Sequence, residues 1–259
     1  IFFKILPMDR REFFTKTKKR TPAFHRTVAA GLSPYAGNWT TNEVAHLLKR
    51  TMFGATKQDI DHFIPMSPGA AVDELLNNIP VTGTPLRDYG LIEDEFGVMH
   101  DDLGVVQGQT WINDLNTMSD PEVRGSINQL RTGSLLKWWT GLILNQNRSI
   151  MEKMVMFWHH HFSVQMEEVG NATMLWRHHK IFRDNPLGSV KQLARDVTID
   201  PAMLFHLNGY LNSKLAPDEN YARELQELFT VGRGPGSGYT ENDVIAAANR
   251  QCDPDFLSR

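Results

Sequence analysis

The chain has 259 residues, of which 41% are hydrophobic and 22% are charged, and its formal net charge is −3. This length is enough to bury a full core as one large domain or two small ones, and the composition is that of a globular protein. The single cysteine, Cys252, excludes internal disulfides and cysteine-rich zinc sites. No apolar run approaches the roughly 18 residues of a membrane-spanning helix, so we expect no transmembrane segment.

The charge is unevenly distributed along the chain. Residues 1–20 carry seven lysines and arginines against two acidic residues, a net charge of +5, which leaves −8 for the remainder. An acidic remainder argues against a general nucleic-acid-binding surface. Arg10-Arg11 resembles a twin-arginine export motif, but the residues that follow lack the apolar region of such a signal. We therefore predict that residues 1–39 form a basic N-terminal arm and linker, and the missing apolar region favours a cytoplasmic location.

Helix-start signals predict an all-α fold of about ten helices in residues 40–250. These signals are capping boxes, caps followed by a first-turn proline, and apolar residues at helical spacing. They predict helix starts after Thr40, Thr56, Ser67, Asp120, Asn171, Asp200, Asp218 and Thr240. No segment predicts a convincing strand. Residues 251–259 are expected to form an atypical tail.

Residues 148–165 form the most apolar amphipathic stretch of the chain. Ser149 and Glu152 have the spacing of a capping box, which predicts a helix start near Ile150. The apolar residues cover more than one stripe of this helix. We therefore predict a central helix near residues 150–164, with the other helices packed around it.

Residues 81–120 show no helical period and are rich in glycine, proline and acidic residues. About 40 residues without regular structure are typical of a functional lid, an Ω-like excursion or a partly mobile segment. The acidic residues are candidates for calcium binding, but they lack the ligand spacing and the glycine of an EF-hand. We interpret the segment as a long, irregular, solvated acidic loop.

The central helix ends in three consecutive histidines, His159, His160 and His161. Successive residues of a helix point about 100° apart, so the three rings cannot chelate one metal ion together. At most one or two of them face a shared site, which would need ligands from elsewhere, such as Glu224. Two interpretations stay open. The histidines are either buried and hydrogen-bonded to backbone or carboxylates, or they are metal ligands or acid–base groups.

A second polar group lies on the helix predicted from Asp218 to Val231. Glu224 and Glu227 fall on one stripe of this helix, and carboxylates on one helix face can bind a metal or act as general bases. The alternative is a solvated face that pairs with basic residues, such as Arg223.

Several stretches, in order and spacing over about residues 42–250, resemble the bacterial family catalogued as domain of unknown function 1800. They are residues 45–56 (AHLLKRTMFGAT), 152–162 (EKMVMFWHHHF), 200–203 (DPAM), 216–230 (APDENYARELQELFT) and 239–244 (YTENDV).

The resemblance implies a bacterial protein that is often exported, and hence periplasmic, and a gene neighbour encoding a sulfatase-like protein as a candidate partner. The biochemical role of the family is not established, so the resemblance transfers no catalytic residues. Relatives usually carry Asn at the position of His160, so His160 is not expected to be a required ligand, whereas His159 and His161 match. After Arg250 relatives continue with a segment that differs from residues 251–259.

Two function hypotheses follow. The first is a metal-assisted hydrolase in which His159 and His161 bind a divalent metal or act as acid–base groups. Glu224 would be the carboxylate partner, and Arg223 or Arg50 would bind an anionic group of the substrate. The second is a non-catalytic structural or protein-interaction module of the cell envelope, in which the same polar groups fix the register of the helices.

Overall fold

The computed structural model of the protein describes residues 34–213, 215–234 and 236–251. This part of the chain contains eleven α-helices and one two-stranded sheet, which confirms the all-α prediction. Residues 1–33 of the predicted arm and residues 252–259 of the predicted tail lie outside the described residues.

Short connections join the helices up to α9, apart from the long segment after α3. They are α1 (Thr41–Thr51), α2 (Lys57–Phe63), α3 (Pro68–Asn77), α4 (Pro121–Leu144), α5 (Met151–His161), α6 (Met166–Val169), α7 (Ala172–Asp184), α8 (Val190–Thr198), α9 (Pro201–His206), α10 (Asn220–Glu224) and α11 (Glu241–Gln251). A 3₁₀ turn, Gly209–Leu211, follows α9, and a π-helix, Leu225–Thr230, continues α10. All these elements belong to the compact unit that begins at Gly37.

Local side-chain caps set most of the helix starts. Thr40 and Glu43 form a reciprocal capping box at α1, as their spacing predicts. Asp120 and Asp200 accept hydrogen bonds from backbone N–H groups in the first turns of α4 and α9. These caps satisfy backbone donors that have no partner inside the helix.

The predicted capping box at the start of α5 is wrong. The hydroxyl of Ser149 accepts a hydrogen bond from the backbone N–H of Met151, but Glu152 does not bond back to Ser149. The Glu152 carboxylate is instead buried and receives hydrogen bonds from Arg183 and Trp139. A partner distant in sequence has replaced the local one.

The helix α5 lies at the centre of the main hydrophobic core, as the sequence predicts. Its apolar residues pack against α7, α8, α9 and the π-helix. The buried members of this cluster are Met151, Val155, Trp158, Phe162, Phe182, Leu193, Val197, Met203, Tyr221 and Phe229. A separate cluster joins α1, α2 and α3, and another joins the long segment to α4 and α7.

The long segment between α3 and α4 contains a short hairpin that the sequence does not predict. Strand β1 (Ile92–Glu93) pairs antiparallel with β2 (Met99–His100), with Ile92 opposite His100. The turn is held by Asp94, which accepts hydrogen bonds from the backbone N–H groups of Phe96 and Val98. Asp94 also bonds His100 at 2.7 Å, and this hydrogen bond lowers the pKa of the Asp94 carboxyl.

The same segment is anchored to α4 by a buried arginine. Arg131 is fully buried and donates two hydrogen bonds to Asp102, at 2.9 and 2.6 Å, and one to Asp114 at 2.6 Å. The Tyr89 hydroxyl donates to Asp102 as well, at 2.6 Å. The interpretation of the whole segment as a solvated acidic loop is therefore wrong at Asp102, which is 3% exposed and neutralises a buried cation.

The helix predicted from Asp218 to Val231 changes type half-way. Residues Leu225–Thr230 form a π-helix, in which the backbone N–H of Val231 bonds the carbonyl of Gln226 five residues back. The hydroxyl of Thr230 bonds the carbonyl of Leu225 over the same spacing. The predicted stripe of Glu224 and Glu227 assumed α-helical spacing. Glu227 lies in the π-helix, which has more residues per turn, so this spacing does not apply to it.

None of the helices in the described ranges is both long enough and apolar enough to cross a membrane.

Candidate functional site

The three histidines at the end of α5 point in three directions, as their spacing predicts. His159 bonds His179 on α7, at 2.9 Å between Nε2 and Nδ1. His160 is exposed. His161 Nε2 bonds the backbone carbonyl of Phe229 in the π-helix, at 2.8 Å. His159 and His161 therefore have different neighbours.

His159 belongs to a buried polar network that connects α4, α5 and α7. The Arg183 guanidinium donates two parallel hydrogen bonds to the Glu152 carboxylate, both at 2.8 Å. The indole N–H of Trp139 bonds the same carboxylate at 3.1 Å. The third guanidinium nitrogen of Arg183, Nε, donates to Nε2 of His179 at 3.1 Å. We call Glu152, Arg183, His179 and His159 the histidine network.

The arginine fixes the tautomers of both histidines. An arginine can only donate, so Nε2 of His179 must be an acceptor and its proton must lie on Nδ1. That N–H donates to Nε2 of His159, whose own proton must then lie on Nδ1. The lone pair of His159 is thus used by His179, and a metal ion on this nitrogen would have to displace His179.

The environment of the network keeps both rings neutral. Burial, together with repulsion from His178 and Arg183, lowers the pKa of His159 to about 3. Burial and the neighbouring His159 and Arg183 hold the pKa of His179 well below its usual range. At pH 7 His159 therefore serves as a hydrogen-bonding group and does not serve as a proton acceptor.

A buried carboxylate–histidine pair lies beside the network. His178 Nδ1 bonds Asp200 at 2.8 Å, and His178 Nε2 bonds the backbone carbonyl of Phe162 at 2.9 Å. Both residues are almost completely buried. Because the backbone carbonyl occupies Nε2, this pair is not arranged to activate a nucleophile in the manner of a catalytic triad.

His178 and His179 lie on α7, the helix predicted to start after Asn171, but the sequence indicates no partner for either of them. One local signal was available, since His179 and Arg183 are four residues apart and therefore share a face of α7. The other pairs are distant in sequence: His179 and His159 are 20 residues apart, His178 and Asp200 are 22 apart, and Arg183 and Glu152 are 31 apart. No local pattern identifies such pairs.

His161 lies in the wall of an open groove with a volume of about 1140 Å³. Its Nε2–H must donate to the Phe229 carbonyl, because a carbonyl can only accept. The neutral ring then carries its lone pair on Nδ1, which makes no hydrogen bond with a residue that the structure describes. A backbone carbonyl that orients one nitrogen and leaves the other available is a common arrangement of functional histidines.

The groove is lined by apolar residues, which we call its floor, and by two exposed basic residues, which we call its rim. Lys191 and Arg195 lie one turn apart on α8, are exposed, and form no ion pair within the described ranges. Asp196 is the acidic residue of the lining, and it accepts a hydrogen bond from Gln192. The apolar lining comes from Phe157, Trp158, Val190, Ala194, Ile199, Leu225, Phe229 and Ala247.

The other predicted site residues do not line this groove. Glu224 is half-buried on α10 and makes no ion pair with a described residue. Arg223 is held on the surface between Glu219, at 3.1 Å, and Glu241, at 3.0 Å. Arg50 is exposed on α1, which packs in a different hydrophobic cluster.

Over the described ranges, no three histidine, cysteine, aspartate or glutamate side chains lie together in a way that would hold a metal ion. A metal bound through His159 or His161 therefore remains a prediction from the sequence.

The depressed pKa of His159 predicts a pH-dependent stability. The unfolded chain binds a proton at this residue below pH ~6.5, whereas the folded protein binds it only near pH 3. The free energy of unfolding should therefore fall as the pH drops below ~6.5, by about 2 kcal/mol at pH 5 from this residue. His159→Gln keeps an acceptor for His179 but cannot titrate. Between pH 7 and pH 5 we therefore expect the free energy of unfolding of this variant to fall by about 2 kcal/mol less than that of the wild type.

Urea unfolding at the two pH values measures this difference. His160→Gln is the matched control, since His160 is exposed, and it should behave as the wild type. Equal pH dependence in the wild type and His159→Gln would contradict the neutral state of His159.

Comparison with known proteins gives a family but no characterised relative. No curated protein and no solved structure matches the chain. The model of a family described as "Protein of unknown function (DUF1800)" matches residues 46–250, a range that includes the histidine network and the groove. The chain therefore belongs to the DUF1800 family.

Proposed function

We propose that the chain is a binding module and that the groove beside His161 takes an apolar, negatively charged ligand or protein segment. The observation that carries this proposal is the combination of an apolar floor with two unpaired basic side chains, Lys191 and Arg195. Concave apolar surfaces with a few polar groups at defined positions are the usual form of ligand sites.

The electrostatics of the groove favour an anion. Long basic side chains that lack acidic partners leave a positive potential over the rim, which attracts and orients negatively charged groups. The apolar lining supports a ligand with an apolar part, since Phe157, Val190 and Ile199 are about half exposed. Covering these surfaces removes apolar area from water and stabilises the complex.

The non-catalytic hypothesis is supported by the state of the predicted catalytic residues. His159 is neutral and hydrogen-bonded inside the protein, and Arg223 is balanced by carboxylates on the surface. In this proposal the histidine network has a structural role, which is to hold α5 and α7 in register beneath the groove.

Binding of anilinonaphthalene sulfonate, an apolar aromatic anion whose fluorescence rises on binding, tests the proposal. We expect Lys191→Glu/Arg195→Glu to weaken its binding at least about fivefold, because two attractive charges become repulsive. Lys49→Glu/Arg177→Glu is the matched control, as it reverses two exposed charges on α1 and α7, outside the groove. Equal affinity in the wild type and the α8 variant would overturn the proposal.

We propose as the second candidate the metal-assisted hydrolase, with His161 as the metal ligand or general base. The observation that favours it is the hydrogen bond from His161 Nε2 to the Phe229 carbonyl, which directs the Nδ1 lone pair away from the backbone. Glu224, which forms no ion pair with a described residue, would supply the carboxylate. Arg223 and Arg50 do not line the groove, so in this candidate they are not placed to bind a substrate beside His161.

His161→Ala separates the two candidates, with His160→Ala as a control one residue away. If His161 is a general base, its loss should lower the hydrolysis of nitrophenyl esters, phosphates or sulfates by about 100-fold or more. If it binds a metal, elemental analysis should find metal in the control and none in His161→Ala. A wild type without metal and without turnover of any of these substrates would contradict the hydrolase.

A further inference from the structure

The hairpin β1–β2 is an exposed apolar and acidic projection. At its turn, the Phe96 side chain is 82% exposed, far more than an aromatic ring usually is in a folded protein. Glu93 and Glu95 are exposed beside it and form no ion pair with a residue that the structure describes. Val98 and Met99 are about half exposed on the second arm. We call residues 91–101 the acidic hairpin.

The acidic hairpin is held in shape before any partner binds. Asp94 closes the turn through two backbone N–H groups and His100. At the base, Asp101 pairs with the almost completely buried Arg87. A projection that is already ordered loses little conformational entropy when it binds, so a small contact area can suffice.

The groove and the acidic hairpin have complementary chemistry. The groove offers an apolar floor and two unpaired cations, Lys191 and Arg195, and the acidic hairpin offers an exposed aromatic ring next in sequence to two unpaired carboxylates. The volume of about 1140 Å³ lies above the range of roughly 300–1,000 Å³ that is usual for small-molecule pockets, which favours a larger occupant such as a chain segment. The hairpin of the same molecule does not fill the groove, because Phe96 is exposed.

We propose that the acidic hairpin of one molecule docks into the groove of a second copy of this chain, with Phe96 on the apolar floor and Glu93 and Glu95 facing Lys191 and Arg195. This inference rests on the proposed function of the groove as a binding site and names its occupant. Two different surfaces of the chain meet in this contact, so the association is heterologous and continues head to tail, ending in a ring if the rotation closes and in an open filament if it does not.

Analytical ultracentrifugation of the full chain tests the proposal. The tip of one hairpin makes a small contact, and small contacts are typical of weak association. We therefore expect a dissociation constant on the order of 10–100 μM and a weight-average mass that rises with protein concentration. Sodium chloride at about 1 M should reduce the association, because it screens exposed charges.

Charge exchange identifies the two surfaces. Glu93→Lys/Glu95→Lys makes the hairpin repel the groove, and Lys191→Glu/Arg195→Glu makes the groove repel the hairpin, so each variant alone should remain monomeric. Mixed in equal amounts, each variant meets a complementary partner and association should return. Lys49→Glu/Arg177→Glu should associate like the wild type.

The outcomes separate this inference from the function on which it rests. A wild type that stays monomeric up to about 500 μM, well above the expected dissociation constant, overturns the inference. If that protein still binds anilinonaphthalene sulfonate through Lys191 and Arg195, the groove has another occupant. Association that survives in both charge variants overturns it too. If Lys191→Glu/Arg195→Glu binds the dye as tightly as the wild type does, the proposed function is overturned as well.

Discussion

The ion pair between Glu152 and Arg183 is the interaction on which the rest of the structure depends. It joins α5 to α7 inside the main core, and the indole of Trp139 adds α4 to the same carboxylate. Removing one partner of a buried pair leaves an uncompensated charge and typically costs about 3–5 kcal/mol. Because the Arg183 side chain also donates to His179, this one pair sets the protonation pattern of the histidines as well as the register of the helices.

The two ends of α5 have different roles. Its first turn supplies Glu152 to the core, whereas its last turn supplies His161 and the half-exposed Phe157 to the groove. A rigid inner face therefore supports an outer face that is open to solvent. The π-helix completes this arrangement, since its Phe229 carbonyl orients the His161 ring. π-helices are uncommon and are frequently found at functional sites.

Local chemistry made much of the fold predictable from sequence. Capping residues such as Thr40 and Asp120 act on backbone groups two or three residues away, so their effect is visible in the sequence. The apolar residues of α5 cover more than one stripe because one stripe enters the core and another lines the groove. The sequence therefore predicted a central helix correctly.

The candidate site was less predictable, because its contacts are long-range. Glu152 has the spacing of a capping residue but pairs with Arg183, 31 residues later, and Arg131 reaches Asp102 over 29 residues. The π-helix has no periodic signature of its own. A histidine triplet indicates chemistry, yet only the fold decides which ring is buried, which is exposed and which faces a groove.

Nitrogen NMR of the histidine side chains is the most direct test of this account. Two-bond correlations between ring protons and nitrogens report the tautomer and the charge of each ring, and His159→Gln assigns the signals of His159. The account predicts that His159 and His179 both carry their proton on Nδ1 and stay neutral from pH 8 to pH 5. A His159 ring that is protonated at pH 5, or that carries its proton on Nε2, would contradict the network and the structural role assigned to it.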